Sequence, residues 1–296
     1  MILVTGGAGF IGSGIVRALA AAGCRVAVLD DLSGGDPANL PEGVTLVRTD
    51  IREPAAADEI ARLAPEAVVH AAAQVSVAAS IEDPARDSAI NVAGTANVLA
   101  GARRAGARRF VFLSSGGAIY GECDGATEQT LPRPVSYYGA HKYLAERYVE
   151  FSGLSHAVAR LANVYGPGQR SDLEGGVIAI FLQRLRDEEP VTIHGDGLQR
   201  RDFIHLDDVV SAVQAMLNSA KSGTYNVGTG EATSVRELLR KTERAVGAPV
   251  SVRRAPSRAG DVRSSSLSAQ ALRTELGWGP RQDLEGWLGR AVGNGG

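Results

Sequence analysis

The chain contains few cysteines and few aromatic residues, and neither sign of charge is in excess. Cys24 and Cys123 are the only cysteines among 296 residues, aromatic side chains make up 5%, and the net charge is −2. Two distant cysteines cannot form a disulfide scaffold, and neither they nor the five histidines show the spacing of metal ligands. Lysine and arginine are scattered rather than clustered. We therefore expect no metal site and no nucleic-acid partner.

Long apolar runs are also missing. The most apolar stretch, residues 67–79, is interrupted by His70 and Gln74 and is too short to span a bilayer. The first five residues, Met-Ile-Leu-Val-Thr, predict a strand and leave no room for a signal peptide. We therefore expect a cytoplasmic protein that does not bind membranes.

Short apolar runs alternate with alanine-rich helical patterns through the first 160 residues. The runs are nearly continuously apolar, which is typical of strands covered by helices on both faces. The predicted strands are residues 2–5, 25–29, 45–48, 67–70, 109–114 and 157–160. This alternation predicts an α/β fold with a Rossmann-type, doubly wound parallel sheet.

After Asn163 the pattern changes, because glycine and proline interrupt the chain and helices no longer alternate cleanly with strands. One later run, residues 223–227, could return to the main sheet. We therefore expect a smaller C-terminal substrate domain that is interleaved with the Rossmann domain. The Rossmann domain would comprise residues 1–163 plus about 205–228, and the substrate domain about 164–204 and 229–296.

Three glycines follow the first predicted strand and open the first predicted helix. Gly6, Gly9 and Gly12 have the spacing G-x-x-G-x-x-G. The first would permit a tight turn, the second would admit a pyrophosphate to the backbone, and the third would let helix and strand approach closely. The N-terminus of the helix would then offer free N–H groups to the phosphates. The pattern predicts a dinucleotide site.

Asp30 ends the second predicted strand. A carboxylate there can accept hydrogen bonds from both ribose hydroxyls and would repel a 2′-phosphate. Neither Arg25 nor Arg48, the nearby arginines, lies just past that strand. The sequence therefore predicts NAD rather than NADP. Asp50, after the third strand, could bind the adenine amino group or cap the next helix.

Tyr138 and Lys142 form a Tyr-x-x-x-Lys pattern at the start of a predicted helix. One helical turn would put both side chains on the same face. A nearby ammonium and a cationic nicotinamide ring would favour the phenolate and lower the pKa of Tyr138 towards neutrality. Such a tyrosine can take a proton from a hydroxyl while hydride leaves the same carbon.

Together these blocks resemble the extended short-chain dehydrogenase/reductase family, and within it the nucleotide-sugar 4-epimerases. The resemblance covers nearly the whole chain. Its blocks are residues 5–12, 30–33, 70–76, 91–95, 114–121, 138–142, 163–167, 201–205, 226–228 and 258–261.

The resemblance implies a role for individual residues. Tyr138 would be the catalytic acid/base, and Lys142 would hold the nicotinamide ribose and tune the tyrosine. The implied cofactor-binding residues are Gly6, Gly9, Phe10, Ile11, Gly12, Asp30, Asp31, Ser33, Asp50, Ile51, Ala71, Ala72, Ala73, Asn91, Ser114, Tyr138 and Lys142. The implied substrate-binding residues are Gln74, Ser76, Ser115, Gly116, Tyr138, Asn163, Val177, Arg201, Arg258, Asp261 and Ser265.

Part of the substrate set has a specific expectation. Asn163 would bind the phosphate region, Arg201 and Arg258 would grip the pyrophosphate, and Asp261 would accept the ribose hydroxyls. Ser265 would occupy a gate that contacts the sugar, and its small side chain would tolerate N-acetylated hexoses.

The sequence departs from the family at one catalytic position. The family usually has Ser or Thr four residues before the tyrosine of its V-Y-G block, and Gly116 stands there, counted back from Tyr120. Ser115 is the first substitute for the missing hydroxyl, Ser114 is the second, and Tyr138 acting alone is a further alternative. Ser114 and Ser115 would point to opposite faces of a strand, so only one of them can easily serve.

Dehydratases and decarboxylases of the superfamily carry an acid just before that tyrosine, and residues 116–119 contain none. The resemblance therefore implies NAD-dependent 4-epimerisation of a UDP-sugar, through a transient 4-keto intermediate. Two alternatives stay open: a reductase of a nucleotide-linked 4-keto sugar, and a non-catalytic dinucleotide sensor. The family also implies a homodimer built from two helices per subunit, at residues 91–105 and 140–152.

Overall fold

The structure is a computed structural model, and it describes residues 1–172, 176–257 and 262–293. Its strands are β1 Ile2–Thr5, β2 Val26–Asp30, β3 Thr45–Arg48, β4 Ala67–His70, β5 Arg109–Ser115, β6 Cys123–Ala126, β7 His156–Leu161, β8 Asn163–Tyr165, β9 Val191–His194, β10 Arg200–His205, β11 Gly223–Val227, β12 Ala232–Ser234, β13 Val252–Ala255 and β14 Ser264–Leu267.

The α-helices are α1 Phe10–Ala21, α2 Pro54–Leu63, α3 Val77–Glu82, α4 Pro84–Ser88, α5 Thr95–Arg104, α6 Gly116–Ile119, α7 Tyr137–Phe151, α8 Val177–Arg186, α9 Leu206–Leu217, α10 Val235–Val246, α11 Gln270–Leu276 and α12 Leu284–Gly293. A 3₁₀ turn spans Pro37–Asn39, and a π-helical segment, Ala89–Gly94, joins α4 to α5. No helix in the described part of the chain combines the length and apolarity needed to cross a membrane.

Seven parallel strands form the main sheet, in the order β11-β7-β5-β4-β1-β2-β3. The six strands predicted in the first 160 residues are all present within one residue of their expected bounds, and β11 joins the edge beside β7. Side chains alternate between two cores, so that Leu3 packs on one face of the sheet and Val4 on the other. The predicted doubly wound Rossmann sheet is confirmed.

A second sheet carries the strands that follow the change of pattern at Asn163. Its order is β12-β10-β14-β6, with β8 pairing to β10, and β9 pairs separately with β13. A third core lies there, formed by Tyr165, Phe181, Leu238 and Trp287 among others. Strand β6, which comes from the first half of the chain, also pairs into this sheet through β14.

The chain order of the main sheet reverses at β1, whose neighbours are β2 and β4. In open parallel sheets, such a reversal leaves a crevice outside the carboxyl ends of the strands, where ligands bind. The glycine loop after β1 and the loop after β4 meet at this crevice, and the second sheet lies across from them.

Candidate active site

A cavity of about 770 Å³ occupies the crevice. Its walls come from the glycine loop, the ends of β2, β4 and β5, the start of α7, and segments of the second half between residues 162 and 235. This volume lies within the range of small-molecule and cofactor sites. The cavity joins the predicted cofactor residues to most of the predicted substrate residues.

Two of the three loop glycines are required by the protein itself. Gly6 has φ +66, and a Cβ there would lie 2.6 Å from the Ala72 nitrogen. A Cβ on Gly12 would overlap the Gly6 carbonyl oxygen. Gly9 differs, because a Cβ added there would meet only the Gly6 carbonyl oxygen, at 3.4 Å. Gly9 also lines the cavity. The free space beside Gly9 therefore suits a ligand rather than a protein neighbour.

Helix α1 begins directly after Gly9, and no side chain caps it. The first residues of the helix, Phe10, Ile11 and Gly12, line the cavity. Uncapped N–H groups and the positive end of the helix dipole suit the phosphates of a dinucleotide.

Asp30 is fixed by the backbone around it. Its carboxylate accepts hydrogen bonds from the Ala8 N–H (2.9 Å) and the Leu32 N–H (2.9 Å). The residue is buried yet lines the cavity beside Asp31 and Ser33. A carboxylate held in this way is oriented before any ribose arrives, which fits the predicted selection of NAD.

Asp50 and Ile51 line the cavity at the end of β3. The Asp50 carboxylate accepts hydrogen bonds from the Arg52 backbone and guanidinium, and Arg52 lowers the pKa of Asp50. Helix α2 starts after Glu53, so the helix-cap alternative for Asp50 is wrong. Its role at the adenine amino group stays a prediction.

The loop after β4 forms another wall, with Ala71, Ala72, Ala73, Gln74 and Ser76 all lining the cavity. Asn91 lies behind this loop rather than in the cavity wall. Its side chain accepts from the Gln74 N–H (3.1 Å) and donates to the Gln74 carbonyl (3.0 Å). Asn91 therefore supports the loop from the π-helical segment.

Helix α7 carries Tyr138 and Lys142 one turn apart. The Ser136 hydroxyl caps it by accepting a hydrogen bond from the Gly139 N–H (3.1 Å). Tyr138 lines the cavity, whereas Lys142 is buried behind it with its Nζ 4.2 Å from the centre of the Phe112 ring. The predicted shared face is present.

Burial dominates the ionisation of both groups. It raises the pKa of Tyr138 to about 12, against a hydrogen bond from Ser115 that lowers it. Burial lowers the pKa of Lys142 to about 7, although the nearby Glu146 and Asp87 carboxylates oppose this. The predicted lowering of the Tyr138 pKa depends on the ammonium and a cationic nicotinamide ring together, and in the protein alone desolvation of the phenolate raises this pKa instead.

The structure separates the two candidate serines. Ser114 turns away from Tyr138 and donates a hydrogen bond to Glu146 Oε1 (2.6 Å). Ser115 lies on the other face of β5, close enough to Tyr138 for its hydroxyl to lower the pKa of the phenol. Both line the cavity, but only Ser115 contacts the catalytic phenol. Ser115 is therefore the hydroxyl available for catalysis.

Gly116 is not part of the cavity wall, contrary to the expectation that it contacts substrate. A Cβ at this position would point at Leu267, 2.5 Å from its Cδ1. Gly116 is the first residue of the short helix α6, and counting back four residues from Tyr120 therefore reaches a position that faces the core. The hydroxyl expected at Gly116 is present one residue earlier.

Asn163, Val177 and Arg201 line the cavity wall as expected. Arg258 and Asp261 lie outside the described residues. Ser265 does not reach the cavity: it is 3% exposed within β14, where it lies opposite Cys123 of β6. The expected gate is therefore wrong, because Ser265 sits in the interior of the second sheet.

Several cavity residues were not predicted from the sequence. They are Gly117, Ala118, Gln169, Arg170, Ile180, Phe181, Thr192 and Gln199, among others. Most come from segments without a recognisable motif. Within the described residues, three potential metal ligands are nowhere clustered.

A buried network joins α7 to the main sheet behind the site. Arg160 on β7 donates to Glu146 (2.6 Å) and to the Tyr120 hydroxyl (2.7 Å), which in turn donates to Asn226 Oδ1 on β11 (2.9 Å). The Glu146 and Arg160 side chains are 0% and 4% exposed. This buried ion pair links α7 to strand β7 of the main sheet.

Similarity to known proteins extends over nearly the whole chain. Residues 2–228 match the model of the NAD dependent epimerase/dehydratase family. The UDP-glucose 4-epimerase of Mycolicibacterium smegmatis is 40% identical over 304 residues, which cover 98% of this chain and 96% of the relative.

Solved structures are also similar to the present one, among them two UDP-glucose 4-epimerases. The UDP-glucose 4-epimerase of Thermotoga maritima, solved with UDP-glucose, has a TM-score of 0.95 and 41% identity, covering 99% of this chain and 97% of that one. The UDP-glucose 4-epimerase of Thermus thermophilus, solved with NAD, has a TM-score of 0.94 and 41% identity, covering 99% and 98%.

Proposed function

The chain belongs to the NAD dependent epimerase/dehydratase family, and we propose that it interconverts UDP-glucose and UDP-galactose by inverting C4 of the hexose, with NAD as cofactor. One observation carries this proposal: a single cavity joins the glycine loop and Asp30 to Ser115 and Tyr138. The family resemblance inferred from the sequence motifs is confirmed.

The residues around the glycine loop fit NAD. The uncapped start of α1 would bind the pyrophosphate, and the fixed Asp30 carboxylate would accept the adenosine ribose hydroxyls. Lys142, close behind Tyr138, would hold the nicotinamide ribose. When bound, NAD would accept hydride reversibly from the sugar C4 and would place a positive charge beside the phenol.

Tyr138 performs the proton transfer. As a phenolate it takes the proton of the 4-hydroxyl while C4 is oxidised, and it returns that proton to O4 after the 4-keto sugar has presented its other face. Ser115, beside Tyr138, would hold O4 next to the phenol. Because burial raises the pKa of Tyr138 to about 12, the phenolate depends on positive charge arriving with the cofactor.

The rest of the cavity favours epimerisation over elimination. Residues 116–119 supply no carboxyl group to remove a proton from a neighbouring carbon. Asn163 and Arg201 line the cavity and would hold the diphosphate of the substrate while the sugar turns. Arg258 and Asp261 keep their predicted roles at the pyrophosphate and ribose.

The direct experiment incubates purified protein with UDP-galactose and adds no cofactor. Proton NMR of the anomeric signals should show UDP-glucose appearing, because an epimerase retains its NAD between turnovers. Tyr138→Phe is the control and should lose turnover while keeping the dinucleotide. Consumption of added NADH without any isomerisation would instead identify a reductase.

We also propose a homodimer formed through α7 and the neighbouring α5. Four apolar side chains on α7 are exposed and share one stripe: Tyr137, Leu144, Tyr148 and Phe151, the last 84% exposed. Their spacing of seven, four and three residues is typical of a helix seam. A second copy of the chain would cover this stripe, and Leu144→Glu should then yield a monomer in light scattering, with wild type as a dimer.

The assignment to the cytoplasm and the two-domain division are part of the same proposal. Cys24 and Cys123 are both free thiols, which suits a reducing compartment. The division at about residues 163, 205 and 228 is supported by the return of β11 to the main sheet.

A further inference from the structure

A buried carboxylate lies between the cavity wall and the catalytic helix. Asp87 on the short helix α4 is 1% exposed and is not among the residues expected to bind cofactor or substrate. Charged side chains are rarely buried so completely unless partners hold them, and those partners indicate what the charge does.

The partners of Asp87 come from both sides of the active site. One oxygen accepts hydrogen bonds from the Gln74 amide (2.5 Å) and the Asn91 amide (3.1 Å). The other is 2.5 Å from His141 Nδ1. Gln74 belongs to the cavity wall after β4, and His141 lies between Tyr138 and Lys142 on α7.

Gln74 is held rigidly in this arrangement. Its amide also donates to the Ser76 carbonyl (2.9 Å), its amide oxygen accepts from the Ser76 N–H, and its backbone is bonded to Asn91. The wall formed by residues 73–76 is therefore tied to α7 through one carboxylate.

The other charged groups near Asp87 are few. Helix α7 presents His141, Tyr138 and Lys142, and Glu146 one turn further on is paired with Arg160. Helix α4 itself carries Arg86, which is exposed and lines the cavity.

The remaining elements add only distant or neutral groups. On α3 and its end, Glu82 and Asp83 are exposed to solvent. On β4, His70 is fully buried and neutral, because burial lowers its pKa to about 3. Asp87 therefore lies at the front of α7 with its second carboxylate oxygen bonded to His141 rather than to a lysine or an arginine.

We propose that Asp87 is a positioning residue of this active site, which locks the wall at residues 73–76 onto the catalytic helix and places a fixed negative charge beside both catalytic groups. The proposal rests on the proposed epimerase function for its kinetic consequence, but not for its electrostatic one.

The charge acts on both groups in the same direction. A nearby carboxylate disfavours the phenolate and favours the ammonium, so Asp87 raises the pKa of Tyr138 and also that of Lys142. Removing the charge should therefore move both ionisations to lower pH together. A purely structural role would reduce activity or stability without moving either ionisation.

Asp87→Asn is the informative variant, because an asparagine can keep every hydrogen bond. Its oxygen can accept from Gln74 and Asn91, and its amide can donate to His141 in the other tautomer. We expect both limbs of the pH profile of kcat to shift to lower pH by about one unit. Asp87→Ser, a smaller uncharged side chain, should shift them in the same direction.

Asp83→Asn is the matched control. It removes a carboxylate from the N-terminal end of the same helix, but Asp83 is exposed and caps α4 at the Arg86 N–H (2.9 Å), a role that asparagine also fills. Its pH profile should match that of wild type. Unshifted limbs in both Asp87 variants, or an equal shift in the control, would overturn the proposal.

A spectroscopic measurement separates this proposal from the epimerase function. The Tyr138 Cζ signal of ¹³C-tyrosine-labelled, NAD-bound protein, assigned with Tyr138→Phe, reports phenol ionisation without turnover. It should titrate at lower pH in Asp87→Asn than in wild type. If it does so in a protein that does not epimerise, the function fails and the role of Asp87 stands; an unmoved titration in an active epimerase refutes the role of Asp87.

Discussion

Replacing Ser115 with alanine should slow epimerisation by roughly 10- to 150-fold. The Ser115 hydroxyl lies beside the Tyr138 phenol and can donate a hydrogen bond to it while the phenol carries the charge during proton transfer. A hydrogen bond to a charged group contributes about 1.5–3 kcal/mol, and each 1.36 kcal/mol changes a rate tenfold. The hydrogen bond also lowers the pKa of Tyr138, so the acid limb of the pH profile should move to higher pH in the variant.

The neighbouring serine provides the control. Ser114 donates to Glu146, whose carboxylate is already paired with Arg160 (2.6 Å). Ser114→Ala should therefore cost about 1.5–3 kcal/mol of unfolding free energy, because the lost bond is to a carboxylate, and it should slow kcat less than Ser115→Ala does. The two variants remove the same hydroxyl from opposite faces of one strand.

The assay is the initial rate of UDP-glucose formation from saturating UDP-galactose, measured by chromatography across pH 6–9. A wild-type kcat in Ser115→Ala would refute the catalytic role of Ser115, because Tyr138 would then act without a hydroxyl partner. Equal slowing in Ser114→Ala would refute it too, since the loss would then come from disturbance of β5 rather than from the site.

Three further changes test the packing and charges behind the site. Glu146→Ala should lower the unfolding free energy in urea by about 3–5 kcal/mol, because it leaves Arg160 buried without its counterion; a loss below about 1 kcal/mol would contradict this. Gly116→Ser should lower the melting temperature without raising kcat, because its Cβ would lie 2.5 Å from Leu267 Cδ1 and not in the cavity; a faster enzyme would restore the four-residue spacing rule. Burial lowers the pKa of Lys142 from 10.5 to about 7. Between these pH values the unfolded chain binds more protons than the folded protein, so the free energy of unfolding should rise with pH. Lys142→Met should show a smaller rise when unfolding in urea is measured, and an unchanged slope would refute the shift.

Local patterns were sufficient to predict the main sheet. Strands such as β1 and β4 are short apolar runs bounded by turn residues, and their burial on both faces follows from that composition. The glycine loop and the Tyr138–Lys142 helix were also predictable, because their residues are close together in the chain.

Contacts between distant segments were not predictable in the same way. Strand β6 pairs with β14, so Cys123 lies opposite Ser265, more than 140 residues later. No local pattern indicates that pairing, and without it Ser265 was expected at the sugar. The same limit applies to Asp87, whose partners Gln74 and His141 are brought to it only by the packing of α4 on α7.

The spacing rule failed at the start of the short helix α6. Counting back from Tyr120 identified Gly116, whereas the backbone of α6 puts Ser115 at the phenol and directs position 116 at Leu267. The rise of the Tyr138 pKa in the protein alone was not predictable either, because a motif does not indicate how deeply a side chain is buried.

The most direct test of a phenol-assisted, reversible oxidation at C4 follows the hydrogen on that carbon. Purified protein without added cofactor is incubated with UDP-glucose that carries deuterium at C4, and the UDP-galactose formed is analysed by NMR and mass spectrometry. Reversible oxidation at C4 should give inverted product that keeps its deuterium, because the same hydride returns to C4 while the sugar stays in the cavity. Inverted product with solvent hydrogen at C4, or no inversion unless NADH is supplied, would contradict it.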